Sequence, residues 1–415
     1  MKGYDMKTFE EKILDYANLI VKVGLNLQPG QNLIINAPIA SHDFVMKVAK
    51  KAYESGVKEI YYRWNSEELD LLRYENASED VFSNYPQWLA DGFTEIAKNN
   101  TAVLSIYASN PELLEKVNPE RIKNDMKTKS IAMKKYKDFV INGGCNWCVV
   151  SIPTEGWANS IFKNKNSVEN IDKLWDLIFM INRINDVDPV KSWELHFEKL
   201  EKYKTYLNDK RFKTLHYKSE KTNVTVDLPK EHIWFAAQEK TKSGIIFSAN
   251  IPTEEVFTLP HKYGVNGTIS STLPLQYAGN TIDEFTLTFK DGKIINFSAE
   301  KGYEILRDLI SLDEGASYLG EVAIVPIDSP IYQSKTIFCN TLYDENASCH
   351  FAIGSAYPNT ITNGESFSSE EKEIHGVNDS ITHVDFMVGD HNLSITGETY
   401  SGDMVEFFVN GKWNI

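Results

Sequence analysis

Charged side chains are costly to bury, so carboxylates and imidazoles standing inside apolar or proline-bounded stretches are the first places to look for chemistry. His383 and Asp385 lie in the apolar run ITHVDFMV (381–388), whose alternation reads as a strand. Side chains two apart share a face, so imidazole and carboxylate project together while Val384 and Phe386 face the other way. Such a pair has two readings: a buried His–Asp hydrogen bond, or two ligands for a first-row divalent metal. Upstream, Glu345 and His350 fall in the turn-rich YDENASCH (343–350). Glu254 and Glu255 sit between Pro252 and Pro260, where adjacent carboxylates repel and the prolines forbid a long helix. Period-2 spacing puts Thr253, Glu255 and Phe257 on one side and Glu254 on the other, so a given site can use one of the two acids. Glu321 follows Gly320 and opens the apolar VAIVPI, an odd place for a charge.

Four carboxylates and two histidines, all in the second half, are the number and types that a dinuclear hydrolytic site needs. Amide hydrolysis requires a hydroxide at neutral pH and charge stabilisation on the tetrahedral intermediate. One divalent ion lowers the pKa of water from about 15.7 toward about 7, and a second roughly 3.5 to 4 Å away clamps the developing oxyanion. A bridging carboxylate must hold two cations that close. Mixed Glu, Asp and His ligands suit two divalent ions of zinc, cobalt, manganese or magnesium rather than thiolate-seeking metals, and Cys349, beside His350, points to the opposite side of its strand.

A second motif competes. Cys145 and Cys148 form a CxxC that could be a redox pair or half of a zinc site. A structural zinc would need another CxxC or a nearby CxH, and the sequence has neither. A thioredoxin-type pair would open a helix, whereas Cys148 opens the strand-like CVVSIP. With Cys339 and Cys349 the chain has four cysteines, too few for a disulfide scaffold and suited to a reducing compartment.

The elements that must position these residues fall into two textures. Up to about residue 205, short apolar runs alternate with amphipathic stretches, the βα pattern of a parallel sheet. Strands are expected at Asn32–Pro38, Lys58–Trp64, Ala102–Ala108 and Cys148–Pro153, and helices at Phe44–Glu54, Val168–Ile184 and Val190–Leu207. None of these strands is followed by GxGxxG, and GxxxxGK[ST] is missing, so dinucleotide or ATP binding by this half is not expected. Beyond residue 207, β-branched and aromatic alternation is broken by Gly, Asn and Asp. Asp291-Gly292 and Asn410-Gly411 predict type I′ hairpins, and Lys301–Ile310 a helix. The expected architecture is an α/β N-terminal domain with a parallel sheet (1–206), then an α+β, largely antiparallel metal-binding domain (207–415).

With 415 residues, 42% hydrophobic and 24% charged, the chain is long enough for two cores and has a globular composition. A net charge of −15 argues against nucleic-acid or anionic-membrane partners. The acids near the start resemble no signal peptide, and no apolar run reaches the roughly 18 residues of a membrane span, so a cytoplasmic location is expected.

Four blocks, NIPTEEVFTLP, LGEVAIVPIDSPI, IFCNTLYDENASCHFAIGSAYP and GVNDSITHVDFMVG, resemble in order the signatures of the thermophilic-type metalloaminopeptidases, the family of aminopeptidases T and S. A weaker likeness extends over nearly the whole chain, including LQPGQNLIINAP, and is loosest at Ser219–Leu228. The resemblance implies a homodimer whose Glu255, Glu321, Glu345, His350, His383 and Asp385 bind two divalent ions, with Glu321 as the bridge. It also implies that Tyr357, which by itself reads equally as a packed tyrosine in a Gly-rich turn, donates to the oxyanion; such a bond is worth roughly 2.7 to 4 kcal/mol in other enzymes. His261, His375 and His391 match no ligand position. The expected activity is removal of the first residue from peptides with a free N-terminus, with proton transfer by Glu321 or Glu254. The rivals are a dinuclear amidase or esterase, and an inactive metal-stabilised peptide-binding module.

Overall fold

The computed structural model describes residues 7–108, 110–163, 166–278 and 280–415. They form two compact units: the described residues up to Phe197 together with Gln238–Pro252, and Glu198–Ala237 together with Thr253–Ile415.

In the first unit, β1 (Asn32–Pro38), β2 (Glu59–Asn65), β3 (Thr101–Ile106) and β4 (Trp147–Val150) make a parallel sheet in the order β2-β1-β3-β4. The central strand β1 is covered on both faces: Leu33, Ile34 and Ile35 are at most 1% exposed. Each contributes about 1.5–3 kcal/mol by leaving water. The helix His42–Glu54 turns Phe44, Val45, Val48, Ala49 and Ala52 inward, the i, i+3, i+4 spacing of an amphipathic helix. The expected helices near 168 and 190 are Ser167–Ile181 and Pro189–Lys210. The fourth strand stops at Val150, short of the expected Pro153. Pro153 has no N–H for a ladder, and the Thr154 hydroxyl caps the helix Glu155–Phe162 by accepting from the Trp157 amide.

The strands of the second unit start with β5 (Thr214–Lys218), β6 (Asn223–Asp227) and β7 (Phe235–Ala236). The segment that belongs to the first unit carries the small hairpin β8 (Glu239–Lys240) and β9 (Ile246–Phe247). There follow β10 (Val256–Thr258), β11 (Val265–Ser270), β12 (Leu275–Tyr277), β13 (Asn280–Lys290), β14 (Lys293–Lys301), β15 (Leu319–Ile324), β16 (His350–Gly354), β17 (His383–Met387), β18 (Ser394–Glu398), β19 (Met404–Val409) and β20 (Lys412–Trp413). One antiparallel sheet runs β12-β13-β11-β6-β5-β18-β19-β20 with β14 beside β13; the other is β17-β16-β15-β10-β7. Both expected hairpin turns form, with φ of 49° and 78° at Asp291-Gly292 and 49° and 75° at Asn410-Gly411. Two adjacent residues with positive φ are what a type I′ turn demands. The helix expected at 301 starts at Tyr303.

The five-stranded sheet is two-faced. Register pairs Val256 with Ile324, Val322 with Phe351 and Phe351 with Phe386, an apolar face. The opposite face carries Glu321, His350, His383 and Asp385. Among the described residues no helix is long and apolar enough to cross a membrane.

Candidate metal centre

Three neighbouring strands bring the charged face together, and a local irregularity aims its central acid. Ladder register shifts between Leu319 and Glu321 against β16, a bulge that re-aims the following side chain. Gly320 makes it possible: a Cβ there would collide with the Gly354 and Ser355 carbonyl oxygens. Glu321, two residues inside the strand rather than at its start, is 4% exposed.

Glu321 lies between the two histidines. Its Oε1 is 3.6 Å from His350 Nε2 and its Oε2 is 3.4 Å from His383 Nε2. Glu255 Oε2 approaches His350 Nε2 at 3.2 Å, and Asp385 Oδ1 approaches His383 Nε2 at 3.4 Å. Two donor sets result, Glu255–Glu321–His350 and Glu321–His383–Asp385, each with its ligand atoms within 4.8 Å of one another and sharing Glu321. The HxD pair thus projects together as its spacing requires.

Each imidazole is oriented from behind. His350 Nδ1 contacts the Ser348 carbonyl at 3.2 Å and His383 Nδ1 the Ser355 carbonyl at 2.7 Å. A carbonyl can only accept, so Nδ1 carries hydrogen and Nε2 turns toward the acids. Sequence reading missed these serine carbonyls, because a backbone oxygen leaves no signature in residue type. It also missed Asn346, 0% exposed, whose Oδ1 accepts from the Glu254 amide at 2.7 Å and whose Nδ2 donates to Leu342 O and to Glu345 Oε1 at 3.3 Å. In YDENASCH it reads as one more turn former.

Glu345 lies outside both donor sets, in the turn Glu345–Ala347 after the short helix Thr341–Asp344. It still feels them: burial, then the charges of Glu255 and Asp385, push its carboxyl well above the ordinary range. Glu254 is in neither set, and His261, His375 and His391 are outside both as well; His375 stacks on Phe367 at 4.6 Å. Cys349 packs with its Sγ 3.4 Å from the Val325 carbonyl, and burial pushes the thiol up to about 12.

Tyr357 follows β16 with its ring centroid 4.7 Å from His383. His383 draws the phenol down, but burial and the carboxylates Glu321, Asp385 and Glu345 outweigh it and the net push is upward. Tyr357 is 40% exposed, so solvent screens part of that push. The phenol therefore keeps its proton at neutral pH and is a donor.

The other shifts describe a site short of positive charge. Burial alone would lower the histidines; the carboxylates Glu255 and Glu321 at His350, and Asp385 and Glu321 at His383, raise both well above the ordinary value. Burial raises Glu255 against the pull of His350, while at Asp385 burial is outweighed by His383. Four carboxylates face at most two imidazolium charges. Glu321 Oε2 and Asp385 Oδ1, although buried, have no aligned hydrogen-bond donor. Orphaned buried carboxylate oxygens converging with imidazole Nε2 atoms are the donor set of a divalent cation, and the residues present fit one.

The match to known proteins runs the length of the chain. A profile of the thermophilic metalloprotease (M29) family matches residues 9–413. Aminopeptidase 2 of Geobacillus stearothermophilus is 47% identical over 408 residues, 98% of this chain and 99% of that protein. Aminopeptidase AmpS of Bacillus subtilis is 45% identical, covering 98% and 100%. The solved structure of wild-type AmpT from Thermus thermophilus superposes with a TM-score of 0.93 at 34% identity, covering 98% of this chain and 100% of that one. With its parallel first sheet and antiparallel acid-bearing second sheet, the chain belongs to the thermophilic metalloprotease family.

Proposed function

We propose that the protein is a dinuclear metal-dependent aminopeptidase that releases the first residue from peptides with a free N-terminus. The observation that carries this is Glu321, whose two oxygens face two different imidazoles in donor sets that share it. Glu255, Glu321 and His350 would hold one divalent ion, and Glu321, His383 and Asp385 the other, with Glu345 beside them. When bound, such ions lower the pKa of water and polarise a carbonyl as Lewis acids.

The chain's own groups supply the rest. The Ser348 and Ser355 carbonyls fix both imidazoles with Nε2 inward. The Tyr357 hydroxyl, held protonated, donates to the carbonyl oxygen of the substrate as it gains negative charge. A carboxylate, Glu321 or Glu254, which lies outside both donor sets, takes the proton that water loses and returns it to the leaving amine. The excess of acid attracts a substrate α-ammonium, reinforced at long range by the net charge of −15. A cytoplasmic homodimer fits this reading, supported by the family's resemblance and by four cysteines that no disulfide joins among the described residues.

The test is a pair of peptides, one free and one N-acetylated, incubated with added zinc, cobalt, manganese or magnesium and followed by mass spectrometry. Acetylation removes the charge and the lone pair together, so the free peptide should lose one residue at a time and the acetylated one should persist. Internal cuts, or equal rates on both, would favour the amidase reading; no turnover by protein that retains metal would favour the inactive module.

A further inference from the structure

An aromatic shelf adjoins the charged cluster on the same sheet face. Register pairs Phe235 with Phe257, Phe257 with Ala323, and Ala323 with His350, so these four form one row across β7, β10, β15 and β16. Cross-strand partners point the same way, so both phenylalanines face the side that carries the acids. Only the small Ala323 separates Phe257 from His350 along the row. Ring contacts confirm the direction: Phe235 to Phe257 at 6.2 Å, Phe257 to Tyr357 at 6.1 Å, and Tyr357 to His383 at 4.7 Å. Phe235 and Phe257 are partly exposed rather than sealed in the core. Phe257 is also two residues from Glu255, so the strand that brings an acid to the cluster brings this ring beside it.

A substrate whose first carbonyl lies at the acids must place its first side chain within a few ångströms of them. The polar groups surround the reacting centre, and this shelf is an apolar surface next to it. A charged first side chain resting there would lose hydration without gaining a partner, whereas an aliphatic or aromatic one would gain ring contact.

We propose that Phe257, backed by Phe235, is the specificity-determining residue that contacts the side chain of the substrate's first residue, so that the enzyme prefers peptides beginning with a bulky apolar residue. This rests on the aminopeptidase reading above.

The experiment measures kcat/KM for leucyl, phenylalanyl, lysyl and glycyl anilides in the wild type, Phe257→Ala and Phe257→Leu, with metal content and thermal unfolding recorded for each. Glycine has no side chain, so the leucyl-to-glycyl ratio isolates the contact. Phe257→Ala should lower that ratio roughly 10- to 100-fold, the range for removing apolar contact from a specificity pocket. Phe257→Leu should restore most of it, which also guards against a poorly folded alanine variant. A ratio unchanged in the metal-loaded variants overturns the assignment, as does a wild type that favours lysyl over leucyl substrates. A wild type that cleaves none of the four overturns the aminopeptidase reading and this assignment with it, an outcome distinct from activity without the predicted preference.

Discussion

Cys145 and Cys148 in the first unit and His383 and Asp385 in the second are both short motifs of potential ligands at a strand, and neither is decisive in isolation. They end in opposite environments. Cys148, on β4, is 0% exposed and packs so closely on Gly24 that a Cβ there would lie 2.7 Å from its Sγ. Cys145 is 5% exposed, and burial pushes its thiol up to about 12, with Cys148 higher still. A thiol so far from ionising is a poor nucleophile and a poor ligand. His383 and Asp385 meet Glu321 from the adjoining region of the sheet, with Glu255 and His350 next to it, and all of them titrate under one another's charge. The parallel sheet surrounds its motif with apolar side chains, and the antiparallel sheet surrounds its own with further ligands. A motif's chemistry is decided by what the register brings beside it.

If that contrast holds, removing divalent ions should act on one unit and spare the other. Chelation should abolish activity, and zinc, cobalt, manganese or magnesium should restore it. The first unit contains none of the proposed ligands, so most of the helical signal in circular dichroism should survive chelation. Full activity in a preparation shown by elemental analysis to be metal-free would end the hydrolytic reading.

The next largest effect should come from Glu321→Gln. An amide bridges two cations poorly, and losing several kcal/mol of charge stabilisation slows turnover by roughly 10³-fold or more. Glu254→Gln, outside both donor sets, should cost less. In the chelated protein Glu321→Gln should not be destabilising: it removes one of several crowded carboxylates, so its melting temperature should equal or exceed that of the wild type. Two retained metals and near-normal turnover in Glu321→Gln would show that the bridge lies elsewhere.

Tyr357→Phe should be milder, lowering kcat by roughly 10²- to 10³-fold with little change in KM, because its hydrogen bond strengthens as the oxyanion forms. A raised KM at unchanged kcat would make Tyr357 a binding residue instead.

The elements were legible in the sequence wherever pattern and turn chemistry agreed. Alternation and Asp-Gly or Asn-Gly turns located both hairpins, and apolar runs located β1 to β4 to within a few residues, with β4 cut short by the Thr154 cap. The identity of the acids at the centre was legible mostly through resemblance, since a lone HxD reads more readily as a buried hydrogen bond than as a ligand pair. The geometry was not legible. The bulge that aims Glu321 depends on backbone approach at Gly320, and the orientation of His350 and His383 depends on carbonyls of serines whose own side chains play no part. Side-chain type encodes neither. The aromatic row from Phe235 to His350 joins strands far apart in the sequence, and only the paired register reveals it.

The smallest functional effect should come from the cysteines, which turns the opening comparison into a measurement. Cys148→Ala leaves a small void in a sealed site and should cost about 1 kcal/mol of stability. Cys148→Ser should cost more, about 1–3 kcal/mol, because a hydroxyl needs a partner and the carbonyl that the present sulfur contacts, Val149 O, is 3.7 Å away. Neither change alters the charge, donors or register of the second unit's cluster. The kcat/KM and metal content of both variants should therefore stay within about two-fold of wild type, sites that share no partners being close to additive. Alkylating reagents applied to the native protein should leave Cys145 and Cys148 unmodified, since their raised thiols offer almost no thiolate at neutral pH. Loss of bound metal in Cys148→Ser, or rapid native-state alkylation of the pair, would mean that the first unit's motif does chemistry after all and that burial is a poor guide to which motif is silent.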